Sequence, residues 1–564
     1  MNQIILNSNK MKKKFSRNKC IIITVILFVF TNIACFGQKT WNYDKQQLYV
    51  GDNIAIAQTQ YGKVQGFILR GIYNFRGIPY GANTGGKNRF MPPQKPQPWD
   101  GILPAVWWGN SAPQVMENKY ANAWASFVDH WNYDDVSEDC LKLNIWTPSI
   151  SDGIKRPVLV WLHGGGFSSG NGIEQDGYSG ENLSRKGNIV FVSLNHRLGA
   201  FGFSDLSGTG KENYAYSGNV GMLDIIAALE WIRDNIANFG GDPGNVTIMG
   251  QSGGGAKVCV LCNMPAAKGL FHKAVALSGS SLKGMNKEIS RKIGEYILKE
   301  AGLKSDEVDK LQEMPWKDYL QLADKALRKY NQENKGNNGI MRLGYAPVAD
   351  GVTLTSGDFF AESDGLSSDV PMIISSTFHE WSMSRNNTEM EEISAEKAIE
   401  MLKGQIGFGG NLGEKAEEIY HAYAKIFPKA KPIEIMTLII SNRKNVIETA
   451  NAKVLQKAPV YVAWFGWEPP LFNNRMRAFH CLDICFWFAN TDVMLTHTGG
   501  GKHPRALSDK MSDALLNFMK TGNPNGGSLP NWPKYTKEKG ETMVLKDKSE
   551  VLNDPDREAR NLLP

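Results

Sequence analysis

Val246-Thr247-Ile248-Met249-Gly250-Gln251-Ser252-Gly253-Gly254-Gly255 is the stretch on which the fold assignment turns. Its first four residues are β-branched or apolar and read as a short buried strand, and a helix-forming stretch opens at Ala256 and Lys257. Between them lies the pattern G-x-S-x-G, on Gly250, Gln251, Ser252, Gly253 and Gly254. So sharp a turn from strand to helix holds its serine in a strained backbone conformation, and side chains on its neighbours would strike the adjacent strand and helix. Ser252 would then project its hydroxyl at a helix N-terminus, where backbone N–H groups can stabilise an oxyanion. The five residues alone also suit a glycine-rich turn whose serine caps the helix. The strand before and the helix after shift the balance toward a nucleophile.

Working outward, the neighbouring segments carry the same alternation. Arg156 to His163, R-P-V-L-V-W-L-H, is a continuous apolar run suited to a strand buried on both faces, and it leads directly into Gly164, Gly165, Gly166 and Phe167. Ile189 to Asn195 and Ala274 to Gly279 read as further strands, with a helix over Met222 to Asn238. Strand character returns at Val370 to Ser376 and Pro459 to Phe465, and briefly near Thr542 to Leu545. Alternating strands and helices predict an α/β fold with a central, mostly parallel sheet covered on both faces. The charged helical region from Lys283 to Asn334 reads as an insertion or lid, the helical stretches at Ile393 to Lys403 and Lys415 to Tyr423 carry charges that suit solvated faces, and a last helix is expected at Pro504 to Lys520. Before the core, Ile54 to Ile68 alternates as a hairpin with Gly62 at its tip, and Glu138 to Pro148 reads as a strand ending at proline. Trp99, Trp107, Trp108, Trp124 and Trp131 crowd the intervening loops, where such rings can line a substrate entrance but more commonly anchor the loop.

The net charge of +6 over 564 residues is local in origin. Lys10, Lys12, Lys13, Lys14, Arg17 and Lys19 supply it, and without them 57 acidic residues face 57 basic ones. That balance gives no support to nucleic-acid binding. The same six charges precede the apolar run Cys20 to Phe30 and small residues at Cys35 and Gly37, the pattern of an export signal over residues 1–37 cut before Gln38, with an uncleaved anchor as the alternative and a lipoprotein site at Cys35 disfavoured by Asn32, which stands where an aliphatic residue would be wanted. The run is shorter than the roughly 20 residues a membrane span requires, so no stable span is expected after its removal. A periplasmic or extracellular protein with one α/β body over 38–564 is the expectation. Cys140, Cys259, Cys262, Cys481 and Cys485 remain, an odd set without framework spacing. Cys259 and Cys262 read as small buried hydrophobes, and no accompanying Cys or His pair makes them a metal site, so neither metal nor cofactor is expected.

A serine hydroxyl needs a base, usually a histidine oriented by a carboxylate, and on a strand-turn-helix nucleophile the chain order is serine, acid, histidine. His272, His379, His421, His480, His497 and His503 follow Ser252. His480 lies in a loop-like stretch after the last strong core strand, whereas His421 sits in a charged helix. Glu380 ends a strand, in P-M-I-I-S-S-T-F-H-E-W, while the competing Asp350 sits in a turn-like dipeptide. Gly164 to Gly166, at the end of a buried strand, suit the approach of backbone N–H groups to a negative oxygen, with the Gly253 N–H as a further donor.

Four longer motifs then match a known family. His163 to Phe167 (H-G-G-G-F), Glu138 to Trp146 (E-D-C-L-K-L-N-I-W), Asn195 to Phe203 (N-H-R-L-G-A-F-G-F) and Phe239 to Ser252 resemble the type-B carboxylesterases, a family that includes bacterial nitrobenzyl-type esterases, cholinesterases and bile-salt lipases. The resemblance implies an α/β-hydrolase fold and hydrolysis of small-molecule carboxylic esters through an acyl-enzyme. It implies Ser252 as nucleophile, Glu380 as acid and His480 as base, with Gly165, Gly166 and Gly253 as oxyanion donors and Ser278 and Asp483 as supporting residues. Some homologues of this fold are adhesion or binding proteins that lack parts of the triad, and this is the alternative class. Departures are informative. Gln251 stands where glutamate is common, which predicts no choline-ester preference. Gly253 replaces the usual alanine and is expected to enlarge the space beside the nucleophile. Cys140 occupies a position often disulfide-bonded in animal members, but Ala112 stands at the partner position, so a free thiol is expected. Lys142 replaces an aromatic residue or threonine. Nothing here names the acyl or alcohol group, or the oligomeric state.

Overall fold

The computed structural model describes residues 46–115, 135–334, 343–360, 365–381, 383–404 and 411–564. The expected export signal, Trp124 and Trp131 lie outside these residues. The chain divides into two bodies, residues 1–49 and 50–564, and everything below concerns the second.

The main sheet of this body is built from β1 (Phe67–Leu69), β2 (Ile72–Pro79), β3 (Lys142–Thr147), β4 (Arg156–Leu162), β5 (Val190–Leu194), β6 (Gly241–Gln251), β7 (Lys273–Leu277), β8 (Met372–Thr377), β9 (Val460–Phe465), β10 (Glu541–Leu545) and β11 (Glu550–Asn553). Their order across the sheet is β1-β2-β3-β5-β4-β6-β7-β8-β9-β10-β11. Neighbours from β5 through to β10 are parallel, and the flanking pairs are antiparallel. In register, Ile248 of β6 lies beside Val160 of β4 and Ala274 of β7.

The apolar runs are continuous because both faces of each strand are covered. Along β4, Val158, Val160 and Leu162 point into one core layer and Leu159 and Trp161 into the other, as the two-residue period of a strand requires. The helices Val220–Asn235 (α1), Gly253–Leu261 (α2) and Arg443–Lys453 (α3) pack apolar residues such as Leu229, Val258 and Val446 into the first layer. Lys502–Thr521 (α4) covers the second with Leu507, Met511 and Leu515. Each such side chain contributes roughly 1.5–3 kcal/mol when fully buried. The helices Ala395–Lys403, Ala416–Ile426 and Pro432–Ile439, in the stretch between β8 and β9 where helices were expected, form a satellite cluster against Trp464.

Two local expectations change. Gly62 is the first residue of the returning hairpin strand, paired with Thr59, and the tip is Gln60 and Tyr61. The glycine is needed because a Cβ there would lie 2.4 Å from the Trp99 ring. The strand before Ser252 begins at Gly241, not Val246: its pairing to β4 shifts between Gly241 and Val246, and Asp242 to Asn245 form the irregularity. Among the described residues none of the five remaining cysteines, Cys140 included, forms a disulfide, and none of the helices is long and apolar enough to cross a membrane.

Candidate active site

The parallel strands deliver their C-terminal ends to one edge of the sheet, where open α/β folds place their ligands. Ser252 follows β6 directly and precedes α2, with φ 57° and ψ −126°. That left-handed φ, rare for a residue with a Cβ, is a strained geometry costing on the order of 1–3 kcal/mol. The surrounding packing enforces it. The Ser252 N–H donates to the Leu277 carbonyl across the edge of β7 at 2.8 Å. On the other side, a Cβ on Gly254 would lie 1.9 Å from the Leu162 carbonyl at the end of β4. Only glycine lets α2 start this close to the sheet.

The glycine loop leaves β4 beside this turn. Gly165 and Gly166 have φ +81° and +62°. A Cβ on Gly164 would touch the Ser252 Cβ at 3.4 Å, so the loop lies against the serine. A Cβ on Gly253 would lie 2.1 Å from the Gly166 carbonyl oxygen. This corrects the expectation that glycine at 253 enlarges the space: the loop itself occupies the volume that a methyl group would need.

Glu380 lies three residues beyond β8, fully buried, and accepts from the Thr377 N–H at 3.2 Å. His480 lies in the turn after β9. Its Nδ1 meets Glu380 Oε2 at 2.5 Å, and its own N–H donates to the Glu380 carbonyl at 3.1 Å. Burial opposes a charge on His480, but Cys481 and the Glu380 carboxylate outweigh it and hold the imidazole well above its ordinary value. Trp381 stacks on the ring with centroids 5.4 Å apart. The buried Gln251 amide nitrogen lies 3.3 Å from His480 Nδ1 and 3.2 Å from Nε2, and its oxygen accepts from Cys481 Sγ at 3.2 Å. The residue immediately before Ser252 therefore touches the histidine. No Ser252 Oγ–His480 hydrogen bond is formed among the described residues, a gap common before substrate binds.

Asp483 and Ser278, the two residues expected to support the site, are also buried. Asp483 is fully buried, accepts from Trp487 Nε1 at 3.3 Å, and is pushed up to about 7, first by burial and then by the Glu380 charge. Ser278 follows β7 with φ 46°, and its Oγ and Asp483 Oδ1 are buried without a hydrogen-bond partner among the described residues. The competing candidates separate cleanly. His421 and His503 are exposed, His272 Nδ1 accepts from the Val246 N–H, and His379 Nδ1 contacts Thr437 Oγ1. Asp350 accepts from the Val352, Thr353 and Leu354 N–H groups, which is a turn-capping role.

A family model for the carboxylesterase family matches residues 53–562. The chain belongs to the carboxylesterase family. A para-nitrobenzyl esterase of Bacillus subtilis (strain 168) is 35% identical over 514 residues, covering 90% of this chain and 98% of the relative. A phenmedipham hydrolase of Pseudarthrobacter oxydans is 30% identical, covering 88% and 97%. Among solved structures, an esterase from anaerobic Clostridium hathewayi that can hydrolyse aliphatic aromatic polyesters superposes with a TM-score of 0.78 at 33% identity, covering 91% of this chain and 99% of that one. A Geobacillus stearothermophilus carboxylesterase at pH 6.2 gives 0.73 at 33%, covering 90% and 100%. The chain is thus a carboxylic ester hydrolase with the α/β-hydrolase fold.

In this carboxylesterase three neighbours of the site went unread in the sequence: Trp381 over the histidine, Cys481 on Gln251, and Lys257 on α2. Lys257 carried a signal, being the single charge within the otherwise apolar or small run Gly253 to Cys262.

Proposed function

We propose that Ser252 is the nucleophile of an ester hydrolase, His480 its general base and Glu380 the carboxylate that orients the base. The contact between Glu380 and His480, on a ring that Gln251 also touches, is the observation that carries this reading. Glu380 at Nδ1 fixes the tautomer whose Nε2 carries the lone pair. With an ester bound, His480 takes the Ser252 proton as Oγ bonds to the carbonyl carbon. The carbonyl oxygen becomes an oxyanion facing the N–H groups of Gly165, Gly166 and Gly253. Collapse expels the alcohol, protonated by His480, and leaves the acyl group on Ser252. Water then attacks by the same route and releases the carboxylic acid. Each oxyanion donor in such a site is worth about 3 kcal/mol in the transition state.

Neutral esters are the substrate class, since the residue beside the base is the uncharged Gln251. The names of the relatives make para-nitrobenzyl and other aryl-linked esters the first to assay. The test is fluorophosphonate labelling followed by peptide mapping, together with turnover of para-nitrobenzyl acetate. Wild type should label at Ser252 and turn over, and Ser252→Ala should do neither. A folded wild type that stays unlabelled would place the chain among the non-catalytic members of the fold.

A further inference from the structure

The scheme above leaves unused a buried cation beside the glycine loop. Lys257 lies on α2, five residues after Ser252, and its side chain is wholly buried. Its Nζ donates to the His163 carbonyl at 2.9 Å. His163 is the residue at which β4 gives way to the glycines. The ring of Phe167, at the far end of the same loop, lies 6.0 Å from Nζ. One ammonium thus reaches both ends of the loop that faces Ser252.

Holding that charge there is costly. A buried ammonium whose one hydrogen bond among the described residues is to a carbonyl loses much of its hydration, and an apolar side chain of the same length would normally suit such a site as well or better. Burial is the main influence and brings Lys257 down to about 7, with Glu174 acting in the opposite direction. The charge is felt next door: His196, stacked on His163 at 5.1 Å, is held well below its ordinary value by burial and then by Lys257. A cost of this kind persists where it serves function.

Resting on the reading of Ser252 given above, we propose that Lys257 is a positioning residue for acyl transfer. Its ammonium fixes the origin of the oxyanion loop through the His163 carbonyl and supplies the positive potential in which the tetrahedral oxyanion forms. Donation to that carbonyl polarises the His163–Gly164 peptide at the root of the loop. A charge fixed before reaction needs no reorganisation as the oxyanion develops, and in a poorly hydrated interior it acts over several ångströms.

Lys257→Met keeps the length and removes the charge, and Lys257→Gln keeps a donor without charge. For Lys257→Met the melting temperature should hold or rise, because a buried charge has gone. Its kcat/KM should fall on the order of ten- to a hundredfold, mostly in kcat, per site titrated with fluorophosphonate. A trifluoromethyl ketone, which forms a tetrahedral adduct with serine, should lose affinity by the same factor, while a non-hydrolysable ether analogue of the substrate keeps its own. Lys257→Gln should fall between. In wild type, kcat/KM and ketone affinity should decline on the alkaline side as Lys257 loses its proton, with His163, Glu174 and His196 the titratable groups that face it. Lys257→Met should lack that decline. A lower melting temperature with unchanged kcat/KM and ketone affinity would make Lys257 purely structural and overturn the proposal. Should neither variant fold, a wild type whose ketone affinity is flat through the alkaline range overturns it equally. Failure of wild type to label at Ser252 would instead remove the underlying reading of the site.

Discussion

Gly253 and Gly166 touch backbone to backbone: a Cβ on Gly253 would stand 2.1 Å from the Gly166 carbonyl oxygen and 2.4 Å from its Cα. The turn at Ser252 and the glycine loop are therefore closed on each other by the absence of one methyl group. Gly253→Ala must push the loop away. We expect kcat to fall on the order of a hundredfold as an oxyanion donor is displaced, with a stability loss of about 1–3 kcal/mol from overpacking. Steady-state kinetics and thermal melts of the variant check both, and wild-type kcat would show that the loop yields freely.

Gln251 faces the His480 ring with a neutral amide. Gln251→Glu places a negative charge there, which favours the imidazolium and raises its pKa further. Because the base works only when neutral, the acid limb of the kcat/KM profile should move to higher pH. Turnover of choline esters should rise relative to neutral esters of equal size. Profiles of both proteins on the same neutral ester, with a choline-ester comparison, measure the two effects.

Buried Glu380 contacts His480 Nδ1 at 2.5 Å and, after Cys481, helps to hold the imidazole above its ordinary value. Removing the charge with Glu380→Gln should lower kcat by about 10³–10⁴ through loss of the correct tautomer and of imidazolium stabilisation. Fluorophosphonate labelling should slow in parallel while the fold is kept. A fall of less than tenfold would mean that another carboxylate orients the base.

Asp483 gives a pH dependence of stability. Burial, then the Glu380 charge, brings this carboxyl up to about 7 from an unfolded value near 4. Below pH 4 both states are protonated and nothing is lost. Between pH 4 and 7 only the unfolded state ionises, so the group's contribution to stability falls as pH rises, by a few kcal/mol in all. Asp483→Asn removes this loss, so the variant should gain stability over wild type at pH 8 and little at pH 4. Denaturant unfolding at the two pH values is the measurement.

Much of the architecture was legible because it is written in local patterns. The run from Arg156 to His163 is apolar at every strand position because layers cover both faces, and its residues divide between those layers as the period of two requires. The turn at Ser252 was readable because strand, glycines and helix lie within a dozen residues. Glu380 and His480 were chosen by their place after strands, and they meet across 100 residues of chain. Gly62 was misplaced at a hairpin tip because its cause, the Trp99 ring, lies outside any local window.

By itself the sequence determined the class of fold, the strand-to-helix turn at Ser252, the glycine loop and the family, since each rests on backbone preferences and side-chain periods that act over a few residues. Only the tertiary structure decided that Gly253 is compelled by Gly166, that Gln251 reaches His480, and that Lys257 is buried against His163. Those are contacts between segments brought together by packing of the sheet, and the free energy that selects them belongs to the assembled core rather than to any stretch of chain.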